Sequence, residues 1–544
     1  MIGTIVVSLS VVFSLLATAV MSYIGMATPI GPWIASTLVL AVGLLLRLMT
    51  VGESITQIIA LIVSCASIGG ILATALGFSL PTLYFLNKTL FLSWLADPNY
   101  FILLVAGISF SAGLYGFWIA DIYEERLLVQ KHLDFPISQL LYRMICAHNQ
   151  LKKAQEMVFG FIATLFFCVL QDGMLGYHGI IGRSIHLFDT CSFHMLQGLA
   201  YIQVPALSVD LFPSFWAIGY VTGRVIVLPL FIGLVSKIFL MDPIQFMGFS
   251  YLSTTSYVMA FCAGIICTSA LRSLIKTPPI IIRIIIDTYK TVWVRGNTSV
   301  DSSVIEKYCL KNLLGILLIV FLFLRSFQFS YWMYGYLMIG TFICTYQVML
   351  IAGRTGLALL GRFATFVMAP ALVLFNVGFV QAVLMATFVE ITAGVATDIM
   401  FGRKLGRLAK VSRPLMRQFQ LLGLVIGSVS VGILFWLLIS RFELGSAALF
   451  AQRAQARALL INVKEFDVLV LGIGFFYGSM LRLLNINTAL VLGALLMPVN
   501  ISLGLIIGGG LSIMSTNKEE WYPFWSGVFA SSSMWMVIGA LQLI

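Results

Sequence analysis

Apolar runs about twenty residues long follow one another along this chain, separated by short polar stretches and by no sizeable hydrophilic domain. Each run has the length an α-helix needs to cross the hydrocarbon core of a bilayer, ~20 residues. Spans are predicted near 4–25, 28–50, 53–76, 101–122, 157–177 and 249–272 in the first half. In the second half they fall near 311–329, 331–352, 356–375, 378–400, 419–440, 465–482 and 524–544. Two further apolar stretches, 206–241 and 485–515, are interrupted by glycine and proline and predict discontinuous helices.

Composition removes the soluble alternative. Hydrophobic residues make up 60% and charged residues 10% of the chain, against roughly 25% charged in soluble domains. The net charge of +11 is gathered in three basic segments. These are Arg126 to Lys153, Arg272 to Lys311, and Arg403 to Arg417. Such clustering is the positive-inside pattern, so it sets these segments in the cytoplasm and gives no reason to expect nucleic acid. The eight cysteines show no C-x-x-C spacing, which argues against a zinc module or a disulfide framework. MIGTIVVSLSVVFSLLATAV carries no basic residue before Arg47 and reads as an uncleaved first span.

The pattern also repeats. ADIYEERLLVQKHLDFP (120–136) leaves one group of spans as TDIMFGRKLGRLAKVSRP (397–414) leaves another, with Asp121–Arg126 matching Asp398–Arg403. AIGYVTGRVIVLPLFIGLVSKI (217–238) pairs with VLGALLMPVNISLGLIIGGGLSIM (491–514), and LGFSLP (76–81) falls opposite AGRTGL (352–357). A common offset near half the chain predicts a tandem duplication. Residues 1–275 form an N-terminal transmembrane repeat, 276–306 a cytoplasmic linker, and 307–544 a C-terminal repeat. Both repeats meet the cytoplasm at equivalent basic segments, so they run parallel. Duplicated halves with matched Gly/Pro breaks are a design of secondary transporters, whose cargo sits near the midplane between discontinuous helices. GxxxG pairs such as Gly423–Gly427 and Gly504–Gly508 read instead as close helix packing.

At these residues the chain resembles the oligopeptide transporter (OPT) superfamily, which includes the yellow-stripe-like metal-chelate transporters. The matching phrases are IAGRTGLALLGR (351–362), TAGVATDIMFGRKLG (392–406), DLFPSFWAIGYVTGR (210–224) and NTALVLGALLMPVNISLGLIIGGGL (487–511). ESITQIIA (53–60), GFSLPTLYF (77–85) and LDFPISQLL (133–141) look like first-half counterparts. Pro136-Ile-Ser-Gln-Leu-Leu departs from the Gly-rich run usual in the family after that proline. The resemblance implies an all-α integral membrane protein with about sixteen transmembrane segments in two parallel repeats, with discontinuous or re-entrant helices. It further implies inward, proton-coupled transport of short oligopeptides, or of metal (iron) chelates by the same fold. No cofactor is expected; the proton gradient is the energy source. The partners are the cargo, protons and the lipid bilayer, with no nucleic acid, and a homodimer is allowed. The compact loops lean toward a bacterial inner membrane.

Ionisable residues inside spans cost roughly 2.5–3.5 kcal/mol each at the bilayer centre, so each is a candidate for function. Glu390 sits mid-span and is the leading proton-coupling candidate, with an ion pair to Arg354 or Arg362 as the alternative. Glu53 is a second coupling candidate, or an interfacial residue. Asp121 and Asp398 are expected to pair with basic neighbours, and Asp210 to cap a helix. Arg354 and Arg224 follow glycines inside the breaks and suit bidentate binding of a peptide carboxylate; snorkelling or pairing in the bundle is the alternative. Gly353 and Gly356 border the same break, and Tyr220 and Tyr346 offer aromatic faces. Trp216, Tyr331 and Trp332 serve equally as interface aromatics. No metal site is expected; His186, Cys191 and His194 are weak candidates in spacing that fits no zinc template. Neither an HExxH nor a DxD motif occurs, so an enzyme is not expected, and a repeated filter segment of the kind a channel needs is missing.

Overall fold

A computed structural model describes 2–27, 34–48, 55–130, 135–146, 150–172, 184–188, 191–195, 200–204, 207–237, 256–268, 302–355, 360–375, 377–446, 448–463, 466–496, 499–515 and 518–542, with isolated positions between them. The first seven helices are α1 Ile2–Ala27, α2 Ala35–Leu48, α3 Ile55–Ser79, α4 Thr82–Leu86, α5 Lys88–Ala96, α6 Pro98–Glu125 and α7 Pro136–Cys146. Next come α8 Gln150–Asp172, α9 Pro213–Thr222, α10 Arg224–Ser236 and α11 Ser256–Thr268. The later helices are α12 Ser302–Arg325, α13 Tyr331–Thr355, α14 Leu360–Leu374, α15 Phe379–Leu408 and α16 Arg413–Arg441. The chain ends with α17 Gln452–Ile461, α18 Val468–Leu483, α19 Thr488–Leu496, α20 Val499–Met514 and α21 Lys518–Gln542.

Seven stretches among the described residues are long and apolar enough to cross a membrane: Thr4–Ala27, Ile55–Leu86, Pro98–Val129, Gln155–Asp172, Tyr331–Gly353, Phe379–Leu408 and Arg413–Arg441. The chain is therefore an integral, multi-pass helical membrane protein. Polar residues survive inside these spans because they bond locally. Ser10, Thr18, Ser22, Thr387, Thr397 and Ser428 each return their hydroxyl to the carbonyl four residues back, so these six donors are not stranded in an apolar setting. Starts are set by caps. Asp97 accepts from the Asn99 and Tyr100 amides ahead of α6, with Pro98 in the first turn, and Asp467 does the same for Leu469 and Val470 of α18.

The chain forms two compact units. The first holds residues 1–25, 33–150 and 270–440, the second 26–32, 151–269 and 441–544. Each unit thus draws on both expected repeats; most of the 276–306 linker lies outside the described residues.

Within the first unit, α15 is buried from Ala382 to Arg403 without a break, and α3 nearly as completely from Ile58 to Ser79. The two run antiparallel, since Ser67 meets Asp398 and Ser79 meets Glu390. On another face α6 packs against α15, with Gly116 beneath the Thr392 carbonyl and Thr392 Oγ1 donating to the Ala112 carbonyl at 3.1 Å. Gly423 and Gly427 of α16 lie against the α3 backbone, Gly423 at the Cys65 carbonyl and Gly427 with Gly69 Cα 2.8 Å from where its Cβ would stand. The break expected at LGFSLP is slight. Pro81 adopts an α-helical φ of −61° where α4 starts, a position that needs no amide donor, and the helical path runs on to Leu86. The turn comes at Asn87, with φ −149° and ψ 87°, whose side chain caps α5.

In the second unit the sequence-matched stretches 217–238 and 491–514 pack together, α9 on α20 and α10 on both α19 and α20. Gly223 divides α9 from α10 at φ 57° and ψ −135°, a conformation that only glycine adopts cheaply. The fold was expected to be all-α, with a loop after the 157–177 span, but two antiparallel ribbons precede α9. One pairs Ser184–Phe188 with Leu207–Asp210, the other Cys191–Met195 with Ala200–Val204. Their short alternation of apolar and polar residues fits strands and cannot fill a helix face. Asp210 consequently ends a strand opposite Ser184; Phe212, not Asp210, takes the cap position of α9.

Gly423→Val should destabilise the protein by about 1–3 kcal/mol, because the new side chain meets backbone that cannot move aside. A thermal melt in detergent checks this, with Gly335→Ala, where a Cβ meets nothing within 4 Å, melting no lower than wild type.

Candidate functional site

Three charged residues stand along the buried length of α15, and neighbouring helices answer each differently. Glu390 is fully buried, and Ser79 Oγ at the end of α3 donates to its Oε2. Arg362 is exposed on α14 and does not meet Glu390, so that ion pair is set aside. The Arg354 side chain lies outside the described residues, although its backbone belongs to the last turn of α13.

Two turns further, Asp398 is buried as well, but its partner is not the basic neighbour expected. Ser67 Oγ donates to Asp398 Oδ2 at 2.6 Å. Five residues separate Asp398 from Arg403, and at 100° per residue the two side chains leave the helix ~140° apart, which keeps them on different faces. A small cavity with room for about one water molecule opens beside the carboxyl. Ala35, Ser64 and Ser67, Ile137 and Leu141, and Phe401 and Gly402 contribute to its wall. Ser64 is 2% exposed and its hydroxyl has no protein hydrogen-bond partner among the described residues.

Arg403 closes the series. Its Nη1 donates to Glu124 Oε2 at 2.9 Å, its Nη2 to Asp121, and its Nε to Gln420 Oε1 at 3.3 Å. Glu124, 2% exposed, also accepts from Arg407 and from Arg413, each at 2.9 Å. Arg417 Nη2 reaches Asp121 at 3.1 Å, and Phe117 lies under the guanidinium groups of both Arg403 and Arg417 at 5.4 Å. Asp121 thus pairs with basic residues as expected, though from α15 and α16 and not from its own helix. The cluster fastens α6, α15 and α16 together at one end, with each of the three guanidinium nitrogens of Arg403 donating a hydrogen bond. Glu124, Arg407, Arg413 and Ser67 escaped the sequence reading. The i,i+3 spacing of Asp121 and Glu124 and the i,i+4 spacing of the arginine pairs could have suggested the cluster; nothing in the sequence points to Ser67.

The cargo candidates are distributed over both units. In the first, Gly353 is buried under Leu133 and Phe135, and its carbonyl accepts the Phe135 amide at 2.9 Å. Tyr346 is buried against Tyr123, ring centres 4.5 Å apart, with Arg126 over its ring at 5.9 Å. Gly356 and Glu53 lie outside the described residues. In the second, Tyr220 is 3% exposed and stacks on Trp525 at 5.0 Å, its hydroxyl without a protein partner among the described residues. Arg224 opens α10 directly after the Gly223 break, its side chain outside the described residues. Tyr331 and Trp332 are exposed, which suits interface aromatics. His186 stands on the first ribbon and Cys191 and His194 on the second, their side chains outside the described residues.

Long apolar helices, a helix interrupted inside its apolar length and carboxyl groups buried among spans define a polytopic membrane protein with polar groups built into its interior. A family model described as OPT oligopeptide transporter protein matches residues 3–533. The chain belongs to the oligopeptide transporter family, and with that membership goes a general role in transport. A comparison with curated proteins finds no match.

Arg403→Ala should cost about 1.5–3 kcal/mol, because it removes the one buried guanidinium that serves both Asp121 and Glu124 and leaves them only partly exposed arginines. Arg407→Ala, removing a half-exposed partner, should cost about 1 kcal/mol or less. Thermal unfolding in detergent separates the two.

Proposed function

We propose that this chain is a secondary active, proton-coupled importer of short oligopeptides, resident in a bacterial inner membrane and built from two parallel tandem repeats. The observation that carries the reading is Glu390, a carboxyl buried at mid-span that accepts a hydrogen bond from Ser79 of α3. An acidic side chain at that depth is costly to bury and marks a proton relay in membrane carriers, which is the role we assign to it. The oligopeptide reading is supported by the family to which the chain belongs. Arg354 and Arg224, each following a glycine, are the residues we assign to the peptide carboxylate, with Gly353, Gly356, Tyr220 and Tyr346 around the cargo and Glu53 as a second coupling group. Iron and other metal chelates are the competing cargo class.

Uptake into proteoliposomes decides between them. A library of short peptides should compete with a labelled peptide for saturable uptake driven by an inward pH gradient, and ferric chelates should not. Glu390→Gln should abolish accumulation against the peptide gradient and leave peptide exchange at equal concentrations. Full pH-driven accumulation in that variant would remove Glu390 from the coupling step.

A further inference from the structure

Asp398 is the second carboxyl on α15 held by a serine of α3, and its surroundings differ from those of every other acidic group described above. Oδ2 takes a hydrogen bond from Ser67, and the cavity beside it offers a second hydroxyl, that of Ser64, which no described protein group satisfies. Among the described residues, the cavity wall carries no charged side chain apart from Asp398. The charged groups of the surrounding helices are engaged elsewhere. Arg403 serves Asp121, Glu124 and Gln420, Arg417 serves Asp121, and Lys404 Nζ donates to the Leu133 carbonyl at 3.1 Å. From α3 no charged residue faces the site, and the side chains of Arg47 on α2 and Arg143 on α7 lie outside the described residues.

We propose that the Asp398 cavity is a proton-binding site: Asp398 carries the proton, and one water in the cavity links its carboxyl to Ser64 Oγ. The chemistry follows from the donors present. Ser67 donates to one carboxyl oxygen, the protonated oxygen donates to the water, and the water donates to Ser64 Oγ, satisfying the one hydroxyl left open. The proton arrives from hydronium and returns to water, and no other bond forms or breaks. A neutral Asp398 also removes the cost of an ion without a counter-charge in an apolar wall.

Its consequence for uptake rests on the proton-coupled reading above; the protonation itself does not, and the test keeps them apart. Infrared difference spectra of the full chain in lipid nanodiscs near neutral pH should show a protonated-carboxyl C=O band. Asp398→Asn should remove that band, Ser64→Ala should shift it, and Glu390→Gln should leave it in place. A spectrum unchanged by both Asp398→Asn and Ser64→Ala overturns the proposal, and Ser64→Ala keeps the test open if Asp398→Asn fails to fold. Loss of the band on adding Na+ at constant pH would make the site one for a metal cation and equally overturn it. In proteoliposomes Asp398→Asn should lose the pH dependence of uptake that wild type shows. Wild-type uptake indifferent to the pH gradient would end the coupling reading, while the band alone still decides Asp398.

Discussion

A helix enclosed on every side can carry a polar group only where a neighbour supplies its partner, and α15 is enclosed over more than five turns. Its three charged residues therefore fix the helices around it. Ser79 and Ser67 of α3 answer Glu390 and Asp398; Asp121 and Glu124 of α6 answer Arg403. Because both serines lie on one helix, sliding α3 by a single turn would part both contacts at once. Close approach makes such register possible. Gly423 and Gly427 let α16 settle on the backbone of α3, and Gly116 lets α6 settle on α15, so short side chains such as serine can bridge the gap.

The two Asp-x4-Arg segments that match in sequence come to opposite ends. Asp121 is shared by Arg403 and Arg417. Asp398 meets a hydroxyl and a small cavity. Their arginines diverge in the same way: Arg403 is spent on carboxylates, whereas Arg126 lies over the ring of Tyr346. The difference originates in α16, whose Arg413 and Arg417 add positive charge beside α6. A repeated pattern has been divided between a fastening role and one in which a carboxyl stays without a fixed counter-charge.

Much of this was legible in the sequence, and the remainder was not for definite reasons. Run length and sparse charge gave the membrane class, and the glycine at 223 marked a true helix break. Pro81 marked almost none, because a proline entering the first turn of a helix breaks no hydrogen bond. Short alternating runs such as SIHLF and CSFHM were too brief to stand out between long apolar spans. Glu390 was legible as a buried carboxyl from its position alone. Asp398 was misread because basic residues follow it closely in sequence, although helical geometry turns them to another face. Its actual partner, Ser67, lies 331 positions away, and no local pattern encodes which helix becomes a neighbour.

Hydroxyl and guanidinium partners differ in what they permit. A guanidinium has donors only, so a carboxyl bound to it loses its partner when it takes up a proton. A serine hydroxyl donates to a carboxylate and, by rotating, accepts from a carboxylic acid, so the contact persists in either state. Glu124 and Asp121, each held by more than one arginine, are therefore suited to fastening helices and poorly suited to carrying protons. Asp398, answered by Ser67, is the carboxyl on α15 that such a contact can serve in either state. Where helices must stay packed while a carboxyl gains or loses a proton, the choice of partner separates fastening carboxyls from exchangeable ones more sharply than depth in the membrane does.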